Sequence, residues 1–551
     1  MGFSKLFTSG SLLRRRLTYN RVAIRTCCNE KKQKQDPPEE EKKEVDSSKK
    51  GLVLGVYETD KKFVLTPAAE EVNQKSGGKI CQYLNQLSST MKLGKAYVIT
   101  DLLPEYSAVA LASLGPKDPG YNKLEALDET RENVRWGVGA GVRLLAERGC
   151  GAIDVEPAAA PDAAAEAATL AAWRFQEFKS CGDRKAECQV RLYGAEGGEL
   201  WRQGAVRGQA QNWARFLSDM PANRMTPVDL AQAALDKLCP LGVVVEARDR
   251  EWVEAQRMRA FLAVARGSCD APVLLECSYR GSRSTQPPVL IAAKGVTFDS
   301  GGLCLKTCSS MTENRGSMAG AAVVLAAIKI LAKLKVPINV SAVIPICENM
   351  VSGQCMKVGD VVKALNGLSI QIEDTDMEGR LMMADALVYG QSLYKPSLVI
   401  DVATFTRGVL MATGGGAFGC FSNSEPAWAA VQAAGASSGD RPWRFPLWRY
   451  YHNQITNDQS VDLRNKGAGH ATPCLGAAFL KNFVCGDWVH MDITGVGKLA
   501  HGSAPPYLAP RRMTGRPART LAALLAQLAR ASELDAGAGA GASRDKLTAA
   551  N

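Results

Sequence analysis

Two short stretches concentrate the residues able to do chemistry. The first, Lys294-Gly-Val-Thr-Phe-Asp299-Ser-Gly-Gly302, follows directly on the apolar run Val289–Ala293. The second, Glu373-Asp-Thr-Asp376-Met-Glu378-Gly-Arg380, follows Ser369-Ile-Gln-Ile372 and precedes a helical pattern. Open α/β sheets bind their ligands at the carboxyl ends of strands, and both stretches are placed there. Asp299, Asp376 and Glu378 offer hard oxygen donors suited to a divalent cation. Asp376 and Glu378 are two residues apart, which puts them on one face of an extended segment. Alone, a glycine-rich turn or an acidic loop is ordinary surface structure; their order and strand-end positions together mark a site. Histidine chemistry is largely excluded. The chain has only His452, His470, His490 and His501, so it contains no HExxH and no zinc finger, and no His-based cluster can form before residue 450. Cys304 and Cys308 lack two further ligands nearby and make an incomplete metal pair.

Positioning such residues takes a large scaffold. At 551 residues the chain is too long for one ordinary domain, which predicts two packed domains with tails. Hydrophobic residues at 46% and charged residues at 22% are globular proportions. Strand patterns at Gly51–Tyr57, Lys95–Thr100 and Ala108–Ala112, with helical patterns at Leu124–Arg148 and Pro161–Glu177, predict an α/β layer over 51–215. A second alternation fills 216–530. Its strand-like runs are Val243–Ala247, Phe261–Ala265, Val273–Cys277, Val289–Ala293, Ile338–Ile346 and Leu398–Phe405; its helix-like runs are Met318–Lys335 and Leu381–Tyr389. Such apolar strands suit a sheet buried on both faces. The fold class is thus α/β, a smaller N-terminal domain and a larger C-terminal one with a mixed, largely buried sheet. No apolar stretch reaches the roughly 20 residues that span a bilayer.

The net charge of +11 is concentrated at one end. Residues 1–29 hold Lys5, Arg14, Arg15, Arg16, Arg21 and Arg25 and no acid, the composition of a mitochondrial transit peptide. Removing those six charges leaves +5. This predicts the mitochondrial matrix, with the cytoplasm as the alternative. Residues 30–50 balance seven acids against seven bases and read as a solvated linker. The Ala-Gly repeat of 531–551 reads as a disordered tail. Sixteen scattered cysteines fit a reduced compartment. A nucleic-acid partner is disfavoured, because outside the leader no basic-aromatic stripe occurs.

With these residues in place the sequence resembles the leucine aminopeptidase (cytosol aminopeptidase) family. Lys294–Gly302 with Lys306, followed by Asp374-Thr-Asp-Met-Glu-Gly-Arg-Leu381, is similar to the family's signature blocks, departing at Asp374 and Met377. Met220–Pro227, Cys347–Gly353, Trp488–Gly495 and Thr514–Leu521 extend the resemblance over roughly Ser218 to Leu525. It also touches the sperm leucyl-aminopeptidase group of insects, whose members often lose site residues. The resemblance implies two divalent metals, manganese or zinc. Asp299 and Glu378 would share both, Asp376 would complete one site, and Lys294 would bind the other as a neutral amine. It further implies Lys306 as the group polarising the scissile carbonyl, Arg380 holding a bicarbonate as general base, and a peptide substrate cut at its N-terminus. It implies a homo-hexamer, or a hetero-oligomer with paralogues, and Cys474–Leu480 is either an interface segment or ordinary core.

Two departures matter. Where the family has a further metal-binding Asp after Lys306, this chain has Ser317; Glu313, four residues earlier, could not replace it without a backbone change. The carboxylate count falls from four to three, and serine is a much weaker ligand for a hard cation. After the strand ending at Phe405, the family's glycine is replaced by Arg407 or displaced to Gly408, so Arg407 could obstruct the pocket. Two expectations follow: a metallo-aminopeptidase of impaired activity and altered metal requirement, or a catalytically inactive structural or assembly protein of mitochondria.

Overall fold

The structure is a computed structural model and describes residues 49–59, 63–87, 91–283, 286–467, 469–499 and 504–531. The leader, nearly all of the charged linker and the tail after residue 531 lie outside these residues.

The N-terminal domain is built on a six-stranded sheet whose centre is Lys50–Glu58, parallel to Ala108–Pro116 on one side and to Ala152–Val155 on the other. The helix expected over Leu124–Arg148 begins later, at Glu129, because the Asp128 side chain caps it by accepting from the Arg131 N–H at 3.2 Å. The preceding residues form a small two-stranded ribbon, Tyr121–Asn122 with Leu127–Asp128. The alanine-rich helix runs from Pro161 to Ala172 and stops before Glu177.

The C-terminal domain holds a nine-stranded sheet. Its middle four strands, Trp488–Asp492, Leu398–Ala403, Val289–Ala293 and Asn339–Asn349, are mutually parallel. Antiparallel pairings flank them, through Val273–Arg280 on one side and Phe418–Ser422 on the other. Gly295–Asp299 pairs with the far end of Asn339–Asn349. Alternate residues of one strand feed different cores: Ile291 and Ala293 enter one apolar cluster, Leu290 and Ala292 the other. This is the two-faced burial that continuous apolar strands predict.

One face is covered by the helix Ala319–Leu334. It lies so close that a Cβ on Gly320 would stand 2.4 Å from the Val402 carbonyl oxygen. By length and composition alone the helical run Cys308–Leu334 could cross a membrane, but 83% of its most apolar window is buried in this fold, as in a core helix. The helix Gly379–Tyr394 covers the other face.

Phe261–Ala265, expected as a strand, lies in the helix Arg259–Ala265. Periodicity cannot separate a short buried helix from a buried strand. Here the Asp385 carboxylate decides, by accepting from the Ala260 and Phe261 N–H groups at 2.9 and 3.0 Å and so satisfying the first helical turn. Cys474–Leu480 falls within the buried helix Thr472–Leu480 and is core in this chain.

The domains share an ionic core. The helix Gly198–Asp219 crosses the boundary expected at 215, and its Arg207 meets Glu166 of the alanine-rich helix. Glu166 also binds Arg135 at 2.8 Å and Arg519, from the C-terminal helix that begins at residue 518, at 2.6 Å. Deleting one partner of a buried ion pair costs about 3–5 kcal/mol. Glu166→Gln would remove a charge shared by three guanidinium groups that keep Glu132, Asp162 and Asp440 as further partners, so chemical denaturation of that variant should report a loss of about 1–3 kcal/mol. A loss below about 1 kcal/mol would contradict the clamp.

Candidate metal centre

The carboxyl ends of the parallel strands converge on a cavity of about 850 Å³. Lys294 follows the strand ending at Ala293, Asp299 ends its own strand, and Thr404 to Thr406 follow the strand ending at Ala403. All of these line the cavity together with Lys306, Ser317, Asp376, Arg380 and Arg407.

The turn after Asp299 is set by two glycines in left-handed conformation. Gly301 has φ +89° and Gly302 φ +68°, and a Cβ on Gly301 would stand 2.5 Å from the Cys304 carbonyl oxygen. The turn closes when the Lys306 N–H donates to the Ser300 carbonyl at 2.9 Å. Lys306 thereby returns to Asp299, its Nζ 3.1 Å from Oδ2, and it also pairs with Asp376.

Thr375 ties this loop to the second acidic stretch. Its hydroxyl donates to the Gly301 carbonyl at 2.7 Å and accepts from the Cys304 N–H at 2.8 Å. Asn349 completes the seam, donating to Asp299 Oδ1 at 2.9 Å and to the Thr375 carbonyl at 3.1 Å. Asn465 holds the acidic stretch from outside, accepting from the Glu373 and Asp374 N–H groups at 2.8 and 3.2 Å.

Asp376 and Glu378 are brought together by a turn, not by the extended segment expected. Asp376 is a turn residue, and Glu378 is already in helical conformation at the N-terminus of Gly379–Tyr394. Ligand oxygens of Asp299, Asp376 and Glu378 nonetheless all lie within 4.8 Å of one another. Lys294 Nζ is 2.5 Å from Glu378 Oε1 and donates to the Thr404 carbonyl at 3.1 Å. Gly379 leaves room for it, since a Cβ there would lie 3.0 Å from Lys294 Cδ.

Packing three acids into one buried space has electrostatic consequences. Burial and the adjacent Asp299 push the Asp376 carboxyl up to about 7, and the same causes raise Glu378. Burial also opposes the Asp299 charge, but Lys306 and Lys294 outweigh it and hold that carboxyl below its ordinary range. Burial works against both lysine charges too. Glu378 and Asp299 outweigh it at Lys294, and Asp299, Glu378 and Asp376 do so at Lys306, so both stay protonated.

Three clustered carboxylates form a donor set that fits a hard divalent ion. The donors beside Lys294 fit a second ion poorly. Ser317 is buried there, its carbonyl accepting from the Thr404 hydroxyl at 3.1 Å, and no fourth carboxylate joins the cluster among the described residues.

Arg380 is buried against Phe405, 5.5 Å from the ring centroid, and donates to the Asn465 and Thr472 carbonyls. Burial lowers its pKa to about 10, which leaves it charged. Arg407 is exposed on the cavity wall. The close approach that needs a glycine belongs to Gly408, where a Cβ would stand 2.6 Å from Pro473 Cδ.

Several neighbours escaped the sequence reading. Asn349, Thr375 and Thr404 lie inside stretches that the sequence marks, whereas Asn465 and Lys498 carry no local signal. Cys304 and Cys308 join no metal-type cluster among the described residues. His490 is buried behind the site, its Nδ1 2.5 Å from Asp401 Oδ1, and takes no part in the acid cluster.

Comparison with known proteins gives the same assignment from two directions. Residues 212–522 match the catalytic domain of the cytosol aminopeptidase family, and residues 53–181 match its N-terminal domain. The cytosol aminopeptidase of Xenopus tropicalis is 41% identical over 492 residues, covering 88% of this chain and 94% of that protein. That of Homo sapiens is 39% identical over 480 residues, covering 86% and 91%. Among solved structures, the bottromycin maturation enzyme BotP in complex with Mn superposes with a TM-score of 0.75 at 25% identity, over 87% of this chain and 99% of that one. A nine-stranded sheet that gathers three carboxylates and two lysines at its parallel strand ends, with matches across both domains, identifies the chain as a member of the cytosol aminopeptidase family, whose enzymes are metal-dependent exopeptidases acting on peptides.

Proposed function

We propose that this chain keeps the architecture of a two-metal exopeptidase, releasing N-terminal residues from peptides, but works with an incomplete metal set and impaired turnover. The observation that carries the reading is the neutral Ser317 on the cavity wall beside Lys294. Asp299, Asp376 and Glu378 would hold one divalent ion; Lys294, Asp299 and Glu378 are what remains for a second. Manganese is the first ion to try, since the similar BotP was solved with Mn. A bound ion would supply Lewis-acid polarisation of the scissile carbonyl.

The rest falls to side chains. Lys306 keeps its proton and is placed to donate to the oxyanion that forms on that carbonyl. To do so it must leave its pairing with Asp376, and a cation bound to the acids would drive that exchange. Arg380 presents a charged planar fork suited to a small oxyanion such as bicarbonate, which would take the proton from the attacking water. Asn349 and Thr375 keep Asp299 and Asp376 in register. Arg407 is exposed on the lining of the same cavity and takes no part in the acid cluster.

A second reading has support of its own: the acid-free, Arg-rich residues 1–29 together with the depleted site suit an inactive structural or assembly protein of mitochondria, in a homo-hexamer or with paralogues. A reporter fused to residues 1–29 that stays in the cytoplasm would remove the mitochondrial part.

The two readings separate in one experiment. With added manganese, wild type should hydrolyse leucyl-amide at least about tenfold more slowly than an intact family member, since even outer-shell losses cost roughly 10–100-fold in metal affinity or activity. Ser317→Asp should recover part of the activity and bind more metal. No activity in either protein would favour the structural reading, and two tight metals with ordinary turnover in wild type would refute the impaired one.

A further inference from the structure

A third lysine lines the same cavity. Lys498 follows the short helix Thr494–Gly497, just after the parallel strand Trp488–Asp492. Its Nζ donates to Asn314 Oδ1 at 2.8 Å, and Asn314 shares the Thr312–Met318 turn with Ser317. The ammonium is therefore anchored to the element that carries the serine. Of the surrounding charges it feels Lys294 most strongly, then Asp299, Glu313 and Lys306.

A buried ammonium beside another ammonium is unfavourable unless nearby acids compensate it. Here the compensation is partial: burial, and then the Lys294 ammonium, lower the Lys498 pKa to about 8, with Asp299 and Glu313 opposing them. Asp299, Asp376 and Glu378 offer at most three negative charges, with Asp376 and Glu378 raised by burial and by Asp299, and Lys294, Lys306 and Lys498 offer three positive ones. The chain's own ammonium groups thus already match the charge that the acids can offer a cation. Glu313 adds a negative charge felt by Lys498, while Arg380 and Arg407 add positive charge to the lining of the same cavity. Asn314 and Ser317 are three residues apart in a 3-10 helix, where such residues share a face, so an aspartate at this position would stand on the face to which Asn314 anchors the ammonium.

We infer that Lys498 is a resident cation standing in for the second metal, so that Ser317 and Lys498 act as a pair and the site holds a single divalent ion, on the Asp376 side. The inference rests on reading Ser317 as the depleted ligand position. It adds that restoring the carboxylate alone recovers the second ion only in part, because the introduced side chain would be shared between Lys498 and a metal.

The test uses the full-length protein and manganese alone, with bound ions counted by native mass spectrometry and second-ion affinity measured by calorimetry. Ser317→Asp is compared with Ser317→Asp/Lys498→Met and with Ser317→Asp/Lys498→Arg. The methionine double variant should bind the second ion at least about tenfold more tightly than Ser317→Asp. The arginine double variant, which keeps charge and bulk and controls for folding, should stay at the Ser317→Asp level. Equal second-ion affinity in Ser317→Asp and the methionine variant would overturn the assignment, as would an equal gain from methionine and arginine. Failure of the underlying reading looks different: wild type would itself hold two tight ions.

Discussion

Three carboxylates within 4.8 Å of one another, mostly out of water, are the constraint on which the rest of the molecule depends. Left alone they would repel, and one or more would take up a proton. The fold answers with fixed positive charge. Lys294 arrives from a central strand end and Lys306 from a glycine-shaped loop, and both remain protonated because the acids demand it. The parallel strands bring Lys294, Asp299 and Thr404 to one edge, and two covering helices, Ala319–Leu334 and Gly379–Tyr394, hold that edge rigid. The interdomain clamp at Glu166 is the same physics repeated, one buried acid among three guanidinium groups, used for attachment where the cavity uses it for chemistry.

As a matter of charge, Ser317 and Lys498 belong together. A site for two divalent ions needs enough carboxylate to hold four positive charges. This one offers three acids and already contains three ammonium groups. Lysine can serve as a ligand only as a neutral amine, and the metal's charge must drive off its proton. Lys294 faces that step with weaker help, since its neighbour Ser317 is neutral and the nearby ammonium of Lys498 raises the cost of bringing another cation in. The single-ion site made by Asp299, Asp376 and Glu378 requires Lys306 to yield both Asp376 and Asp299, while Lys294 can keep Glu378 Oε1 and leave the second oxygen to the ion.

Much of this was legible in the sequence because the signals were local. Asp299 stands at the end of an apolar run and beside glycines that only a tight turn requires, and the Asp376–Glu378 pair sits at the mouth of a helix. Their convergence followed from strand-end placement, although the geometry joining Asp376 to Glu378 is a turn and not an extended segment. The buried two-faced sheet was readable from strands without polar alternation. Other features were hidden because their causes are distant in the chain. Phe261–Ala265 is helical through a carboxylate at Asp385, more than a hundred residues away. Asn465 steadies the acidic stretch across 92 residues, and Lys498 meets Asn314 across 184. No window of sequence contains both members of such pairs.

The central claim is that one divalent ion, and not two, belongs to this cavity. Crystals grown with manganese and recorded at a wavelength where manganese scatters anomalously would test it directly. One anomalous peak is expected, bounded by Asp299, Asp376 and Glu378, with Lys294 still paired to Glu378 and Lys498 still on Asn314. Two peaks of equal height, one of them between Lys294 and Ser317, would contradict it.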